Sequence, residues 1–262
     1  MPRDRARAGA SVIGLHIDAL GWDACVDRVL GWASRRESRY VCLCNAHSVV
    51  TARREPAFAR AIGAADLALA DGAPVAWRLR TLGFPGQPRL SGPDLMWRLC
   101  RSAEREGLGI FLYGGTAHTL RRLSARLAAD FPDLVVAGCY APPYRALTAV
   151  ESEQVTRAIR ESGAHLVFVG LGCPRQETWM AAHRGGIDAV LIGVGAAFDF
   201  HAGTVIRAPR WMQRAGLEWL HRLGAEPHRL WRRYLVTNTL FIAYLAGEVI
   251  AGRRGASESR EG

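Results

Sequence analysis

Four segments carry residue types that could do chemistry. In DLALADGAPVAW an apolar run ends on Asp71-Gly72. An acid at the carboxyl end of a parallel strand is well placed to take a proton from a hydroxyl. Capping the next helix is its plain alternative role. In FLYGGTAHTL, Gly114 and Gly115 let backbone approach a ligand, and Thr116 can cap a helix whose free N–H groups attract phosphate. The same Gly-Gly-Thr also serves as a tight turn, without the Lys of a P-loop or the spacing of a dinucleotide fingerprint. In GLGCPRQETWM, Pro174 suits the first turn of a helix and puts Arg175, Gln176 and Glu177 near its start. Gln176 could read a base edge or a sugar hydroxyl, or these side chains could simply face solvent. In IGVGAAFDFHAGTV, Gly195 sits in a flexible turn before Phe198, Asp199 and Phe200. Aromatic rings around an acid could enclose a base and ribose, or belong to the core. Glycosyl transfer is one chemistry that needs little more than these parts. A base takes the acceptor hydroxyl proton, and cations or helix N-termini steady the departing diphosphate.

Many such reactions hold the diphosphate through a metal on an Asp-x-Asp pair. No such pair occurs, and Asp199 with His201 is the only near match, with unconvincing ligand geometry. A metal-free reaction is therefore expected, with Arg in place of the cation and no cofactor. The composition fits an anionic ligand. Net charge is +10, and all 34 basic side chains are Arg, because the sequence has no Lys. Arg is the better bidentate partner for phosphate. A compositional bias explains the missing Lys, but not where the Arg residues cluster.

These loops need strands to hold them. Apolar runs at 12–17, 40–44, 67–70, 110–113, 134–137, 166–171 and 189–194 alternate with amphipathic stretches at 22–35, 94–105, 118–129 and 148–161. Strand–helix alternation predicts an α/β layered fold with a mostly parallel sheet. Asn45, Asp71, Gly114–Thr116, Gly172–Pro174 and Gly193–Asp199 would then all lie at strand ends, where such sheets bind ligands. With 262 residues, 49% of them hydrophobic, the chain can bury a sizeable core. Its 6 Cys residues form no CxxC pair, and Cys42 and Cys44 read as small core residues. The charged N-terminus does not read as a secretory signal, and a cytoplasmic protein with reduced thiols is expected.

The character changes near Ala208. From Arg207 to Arg233 seven Arg face two acids, Glu218 and Glu226, with Trp211, Trp219 and Trp231 interspersed. The expected domains are an α/β core at 1–207, a basic helical membrane-associating appendage at 208–252 and a disordered tail at 253–262. Arg with interfacial aromatics suits a helix resting on an anionic leaflet. Arg222, Arg229 and Arg232 are candidates for contact with an anionic lipid or a diphosphate, a solvated basic face being the alternative. The stretch 234–252 nears the roughly 20 residues of a membrane span. Thr237, Asn238, Thr239, Gly247 and Glu248 interrupt it, so a helix lying on the membrane or packed on a partner subunit is preferred.

In this order the segments LCNAHSVVTARREPAF, ADLALADGAPVAWRLR, RLSGPDLM, FLYGGT, VFVGLGCPRQETWMAAHR, GVGAAFDFHAGTVIRAPRWMQRAGLEWLHRL and EPHRLWRRYLVTN resemble the WecG/TagA/CpsF glycosyltransferases, glycosyltransferase family 26. They cover nearly the whole chain from about residue 39 to 238, and the AFDFHAGTV–RAPRWMQ–GLEWL run is the most specific. The resemblance implies a Rossmann-like α/β core, a mostly parallel sheet with helices on both faces, and a C-terminal helical appendage that meets the membrane. With it goes inverting, metal-independent transfer from a UDP-sugar to an undecaprenyl-diphosphate-linked acceptor at the inner face of the cell membrane. The best-known members transfer N-acetylmannosamine or its uronic acid onto lipid-linked N-acetylglucosamine. It also implies that Asp71 matches the family's catalytic Asp, and that Asn45, Arg89 and Gln176 match its substrate-binding residues. The Thr of its T-x-N motif is Leu43 here, which bears on sugar identity. The competing class is a non-catalytic nucleotide- or nucleic-acid-binding α/β protein. The roughly helical spacing of the tryptophans disfavours base stacking, and no nucleic-acid partner is expected. A homo-oligomer is compatible with the sequence.

Overall fold

The computed structural model describes residues 7–258, with side chains for 7–228 and 230–250. The chain opens with a hairpin of β1 (Gly9–Val12) and β2 (Leu15–Asp18), then α1 (Trp22–Ser34), β3 (Arg39–Cys44), α2 (Ala46–Arg54) and α3 (Pro56–Gly63). There follow β4 (Leu67–Ala70), α4 (Ala73–Thr81), α5 (Gly92–Glu106), β5 (Ile110–Gly114), α6 (Ala117–Asp130), β6 (Val136–Tyr140) and α7 (Ala149–Glu161). The remainder is β7 (Leu166–Gly170), α8 (Arg175–His183), β8 (Val190–Gly193), α9 (Ala197–His201), α10 (Arg210–Arg214), α11 (Glu218–Ala225) and α12 (Pro227–Glu258). Of the tail expected at 253–262, residues 259–262 lie outside the described residues.

The helices start where local chemistry tells them to. Asn45 and Thr148 close capping boxes with Ser48 and Glu151, and Pro56, Pro74 and Pro93 occupy first turns. Gly107, in the left-handed region, ends α5. The strands form one 8-stranded sheet in the order β1-β2-β4-β3-β8-β7-β5-β6. All pairings are parallel except β1 with β2. Alternate residues along each strand divide the core in two. Val41, Leu69, Leu112, Phe168 and Ile192 face α1, α5 and α6. Cys42, Ala68, Tyr113, Val169 and Leu191 face α2, α3, α7 and α8. The expected Rossmann-like sheet with helices on both faces is what forms, and Cys42 and Cys44 are buried core residues.

One expected strand is corrected. The run 12–17 is not continuous: it turns at Ile13-Gly14, both with positive φ (53° and 82°), so β2 returns antiparallel to β1. Ile is a poor residue for such a turn, so Gly14 alone signals it, and a lone Gly inside an apolar run is a weak signal. Tertiary contacts hold it: Ile13 is buried, and its N–H donates to Glu248 Oε1 at 3.0 Å from α12.

The helices after 207 fold back on the sheet layer. α12 packs on α2 and α11, with Phe241 buried and Leu240, Tyr244 and Leu245 against the core. Glu248 also pairs with Arg78 of α4 at 3.1 Å. Trp231, Leu235, Ile242 and Ile250 of α12 stay exposed. No described helix is long and apolar enough to cross a membrane.

Candidate active site

From β5 the chain steps outward to β6, then crosses back to β7 and continues to β8. The reversal opens a crevice at the carboxyl ends of β5 and β7, where doubly wound sheets take ligands. Gly114 permits it. Its φ is 126°, and a Cβ there would lie 2.6 Å from the Gly170 backbone. Gly114 thus joins the two strands, while Gly115, with φ 66°, lines the opening. The cleft extends across β8, β3 and β4, encloses about 1010 Å³, and is closed on its far side by α11 and α12.

Asn45, Asp71, Arg89, Gly115, Thr116, Gln176, Gly195, Asp199 and Arg222 all line it, although they come from separate segments. Asn45 Oδ1 accepts from the N–H groups of His47 (3.0 Å) and Ser48 (3.2 Å), which fixes α2 against the rim. Thr116 Oγ1 accepts from Thr119 N–H at 3.0 Å and caps α6. Asp199 Oδ1 accepts from the hydroxyls of Thr119 (3.4 Å) and Thr204 (3.3 Å). Gln176 and Glu177 do not face solvent. Gln176 Oε1 accepts from Gly195 N–H at 3.1 Å, and its amide donates to Glu177 Oε1 at 3.0 Å. Glu177 Oε2 is buried without a hydrogen-bond partner among the described residues, and burial raises this carboxyl's pKa.

Asp71 directly follows β4, and its N–H donates to Cys44 O at 3.0 Å. Its carboxylate lies 3.7 Å from Arg89 Nε. Burial raises the Asp71 pKa; Arg89, Arg222 and Arg207 oppose that shift, and Glu218 adds to it. Arg89 does not belong to Asp71 alone. Its Nη2 donates to Glu218 Oε2 at 2.5 Å. Glu218 Oε1 lies 3.6 Å from Arg207 Nε, and Arg207 grips Asp94 with both Nη atoms at 2.7 and 2.8 Å. Ser91 Oγ donates to Asp94 in turn. The charges therefore alternate from the cleft into the appendage.

Four expected site residues stand apart. Gly114 is a backbone contact, as above. Phe198 is 1% exposed, its ring pressed on Gly170 and Gly115, so it supports the wall from behind. Arg232 lies exposed beside the Trp231 ring, outside the lining residues. The side chain of Arg229 lies outside the described residues. The Asp199–His201 pair does not converge: His201 stacks on Trp97 and its Nε2 lies 2.9 Å from Pro93 O. Burial lowers the His201 pKa to about 4. Among the described residues no group of three or more His, Cys, Asp or Glu could hold a metal.

Sequence reading missed several lining residues. His47 lines the cleft, with Nδ1 3.3 Å from Thr237 Oγ1 and its pKa lowered to about 4 by burial. The segment Pro142–Leu147 overhangs the rim, with Tyr144 under the Arg175 guanidinium. Glu218 is the largest omission. It is 129 residues from Arg89 in sequence, and no local pattern links the two. Asp66, by contrast, sits at the start of β4, held by Arg39 and Arg184 at the far end of the sheet.

A glycine-rimmed, charged cleft over the strand ends marks this as a doubly wound α/β protein with its cleft where such sheets take ligands. The chain belongs to the WecG/TagA/CpsF family of glycosyl transferases, whose profile matches residues 10–255. It is thus a glycosyltransferase, not a non-catalytic binding module. A relative from Bacillus spizizenii is 32% identical over 205 residues, covering 78% of this chain and 77% of its own. One from Bacillus subtilis is 33% identical over 175 residues, 66% of each chain. Both are named N-acetylglucosaminyldiphosphoundecaprenol N-acetyl-beta-D-mannosaminyltransferase.

Proposed function

We propose that the protein moves an N-acetylmannosamine-type sugar from a UDP-sugar to an undecaprenyl-diphosphate-linked acceptor, with inversion and without a metal. The observation that carries this reading is the placement of Asp71 beside Arg89 in a cleft lined by the capped start of α6. The relatives' names supply the acceptor and sugar class. Asp71 takes the proton of the acceptor hydroxyl as that oxygen bonds to the anomeric carbon. The bond from that carbon to the diphosphate oxygen breaks, and UDP leaves with the electron pair. A single displacement inverts the centre. Arg89, Arg222 and the N-terminus of α6 are the candidates to steady the diphosphate. Asn45 and Gln176 orient sugar or base.

The test is turnover with a panel of UDP-sugars and a short-chain lipid-diphosphate N-acetylglucosamine acceptor, before and after exhaustive EDTA treatment. Transfer from UDP-N-acetylmannosamine that survives EDTA is expected. Activity lost in EDTA and restored only by Mg²⁺ or Mn²⁺ refutes the metal-free part. No transfer from any UDP-sugar refutes the donor class.

Location at the inner face of the membrane follows from the same proposal. The exposed Trp231, Leu235, Ile242 and Ile250 of α12, with exposed Arg232 alongside, suit an anionic leaflet. Replacing Leu235 and Ile242 by Ser should weaken binding to phosphatidylglycerol vesicles at least about tenfold, since each buried side chain contributes roughly 1.5–3 kcal/mol. Turnover on a water-soluble acceptor should persist. Unchanged vesicle affinity would move the contact elsewhere. Loss of self-association instead would assign this face to a second copy.

A further inference from the structure

Glu218 opens α11, outside the sheet, yet its carboxylate is directed into the charged end of the cleft and is 10% exposed. It touches two Arg side chains from different parts of the chain: Arg89, just before α5, and Arg207, just before α10. Arg89 is held from two sides of the appendage. Nη2 donates to Glu218 at 2.5 Å and Nη1 to Gln213 O at 3.5 Å. What remains for Asp71 is Nε, at 3.7 Å, buried and without a hydrogen-bond partner among the described residues. The short bond goes to Glu218 and the long approach to Asp71. The appendage seats closely here: a Cβ on Gly216 would meet Ala73 Cβ, two residues past Asp71, at 2.7 Å.

We propose that Glu218 is a positioning residue that holds the Arg89 guanidinium back from Asp71, so that the base keeps its affinity for a proton only while α11 is seated. This rests on Asp71 being the base. A guanidinium that closed fully on Asp71 in a bidentate pair would make it a weaker base. Glu218 competes for that guanidinium, and Arg207, anchored on Asp94, keeps Glu218 from taking it entirely. The groups facing Asp71 are Arg89, Arg207, Glu218 and Arg222, with Cys44 at the end of β3. Glu218 raises the Asp71 pKa, and the three Arg residues lower it. The arrangement also ties base strength to a segment outside the α/β layers, so displacing α11 disarms the site.

Glu218→Gln removes the competitor. Arg89 then closes on Asp71, the Asp71 pKa falls, and turnover at its pH plateau drops about tenfold. Because Asp71 works deprotonated, the acid limb of the kcat profile moves to lower pH. Arg207→Gln works the other way: a positive charge leaves, Glu218 holds Arg89 more completely, and the acid limb moves to higher pH. A structural role would lower turnover in both variants without opposite displacements of the limb. The experiment is kcat and KM against pH for the full chain, its E218Q and R207Q variants, and D71N as control. Opposite limb shifts that vanish when Arg89 is also replaced by Gln support the proposal, and shifts that persist in that background are direct charge effects and overturn it. Limbs that stay at the wild-type pH in both variants, with D71N inactive, overturn it and leave the base assignment standing. If E218Q does not fold, R207Q decides by the same comparison: an upward shift that needs Arg89 supports the proposal, and any other result overturns it. A fully active D71N overturns the base assignment first, and this proposal with it.

Discussion

Asp71→Asn lowers turnover on the lipid-diphosphate acceptor about 10²–10⁴-fold, the loss expected when a positioned base is removed. The amide matches the carboxylate in size and keeps the backbone bond from Asp71 N–H to Cys44 O, so the end of β4 is undisturbed. What changes is the capacity to take a proton. UDP affinity should stay within about twofold of wild type, because a group acting only in the transition state contributes little to ground-state binding. Steady-state kinetics and calorimetric UDP binding on the same preparation check both halves. An Asn variant with wild-type turnover would show that the base lies elsewhere, with Glu177 and Glu218 the buried carboxyls lining the cleft.

Arg89→Ala has the second largest expected effect, and it acts on both activity and stability. If Arg89 steadies the departing diphosphate as proposed, its removal costs on the order of 10²–10³ in kcat/KM. It also strands the buried Glu218, which among the described residues keeps only the 3.6 Å approach of Arg207. Leaving a buried carboxylate half-compensated costs about 2 kcal/mol, less than the roughly 3–5 kcal/mol of a fully broken buried pair because Arg207 remains. Thermal unfolding should therefore shift down by several degrees. The double variant R89A/E218Q separates the two effects. Removing the stranded carboxylate restores most of the stability, while activity stays low. If stability does not recover, Arg89 acts through packing rather than through its pairing with Glu218.

Much of the α/β layout was legible because it rests on local signals. Strands β3, β4, β5, β7 and β8 are short apolar runs bounded by Gly, Asn or Asp. Helices α2, α5, α6 and α7 carry caps or first-turn prolines that can be read residue by residue. Glycine spacing after β5, β7 and β8 placed Gly115, Thr116 and Gly195 at strand ends, and the sheet topology brought those ends into one cleft. The hairpin at Ile13-Gly14 was illegible for the opposite reason. An Ile with positive φ is locally unfavourable, and a hydrogen bond from Glu248, 235 residues away, helps hold it.

The division between sequence and tertiary structure follows range. The sequence determined which residues could act: an acid after a strand, glycines that admit a ligand, Arg in place of Lys, and a basic, tryptophan-bearing end. It could not rank them, because Phe198 and Asp199 are adjacent in the chain, yet one supports the wall and the other lines the cleft. Nor could it tell that Gln176 and Glu177 are buried rather than solvated, since a helix start has the same composition either way. The chain from Asp71 through Arg89, Glu218 and Arg207 to Asp94 was decided only when α10 and α11 folded over the ends of β3 and β4. Charges pair by proximity in space, at a strength set by burial, and neither quantity is written in the spacing of residues along the chain.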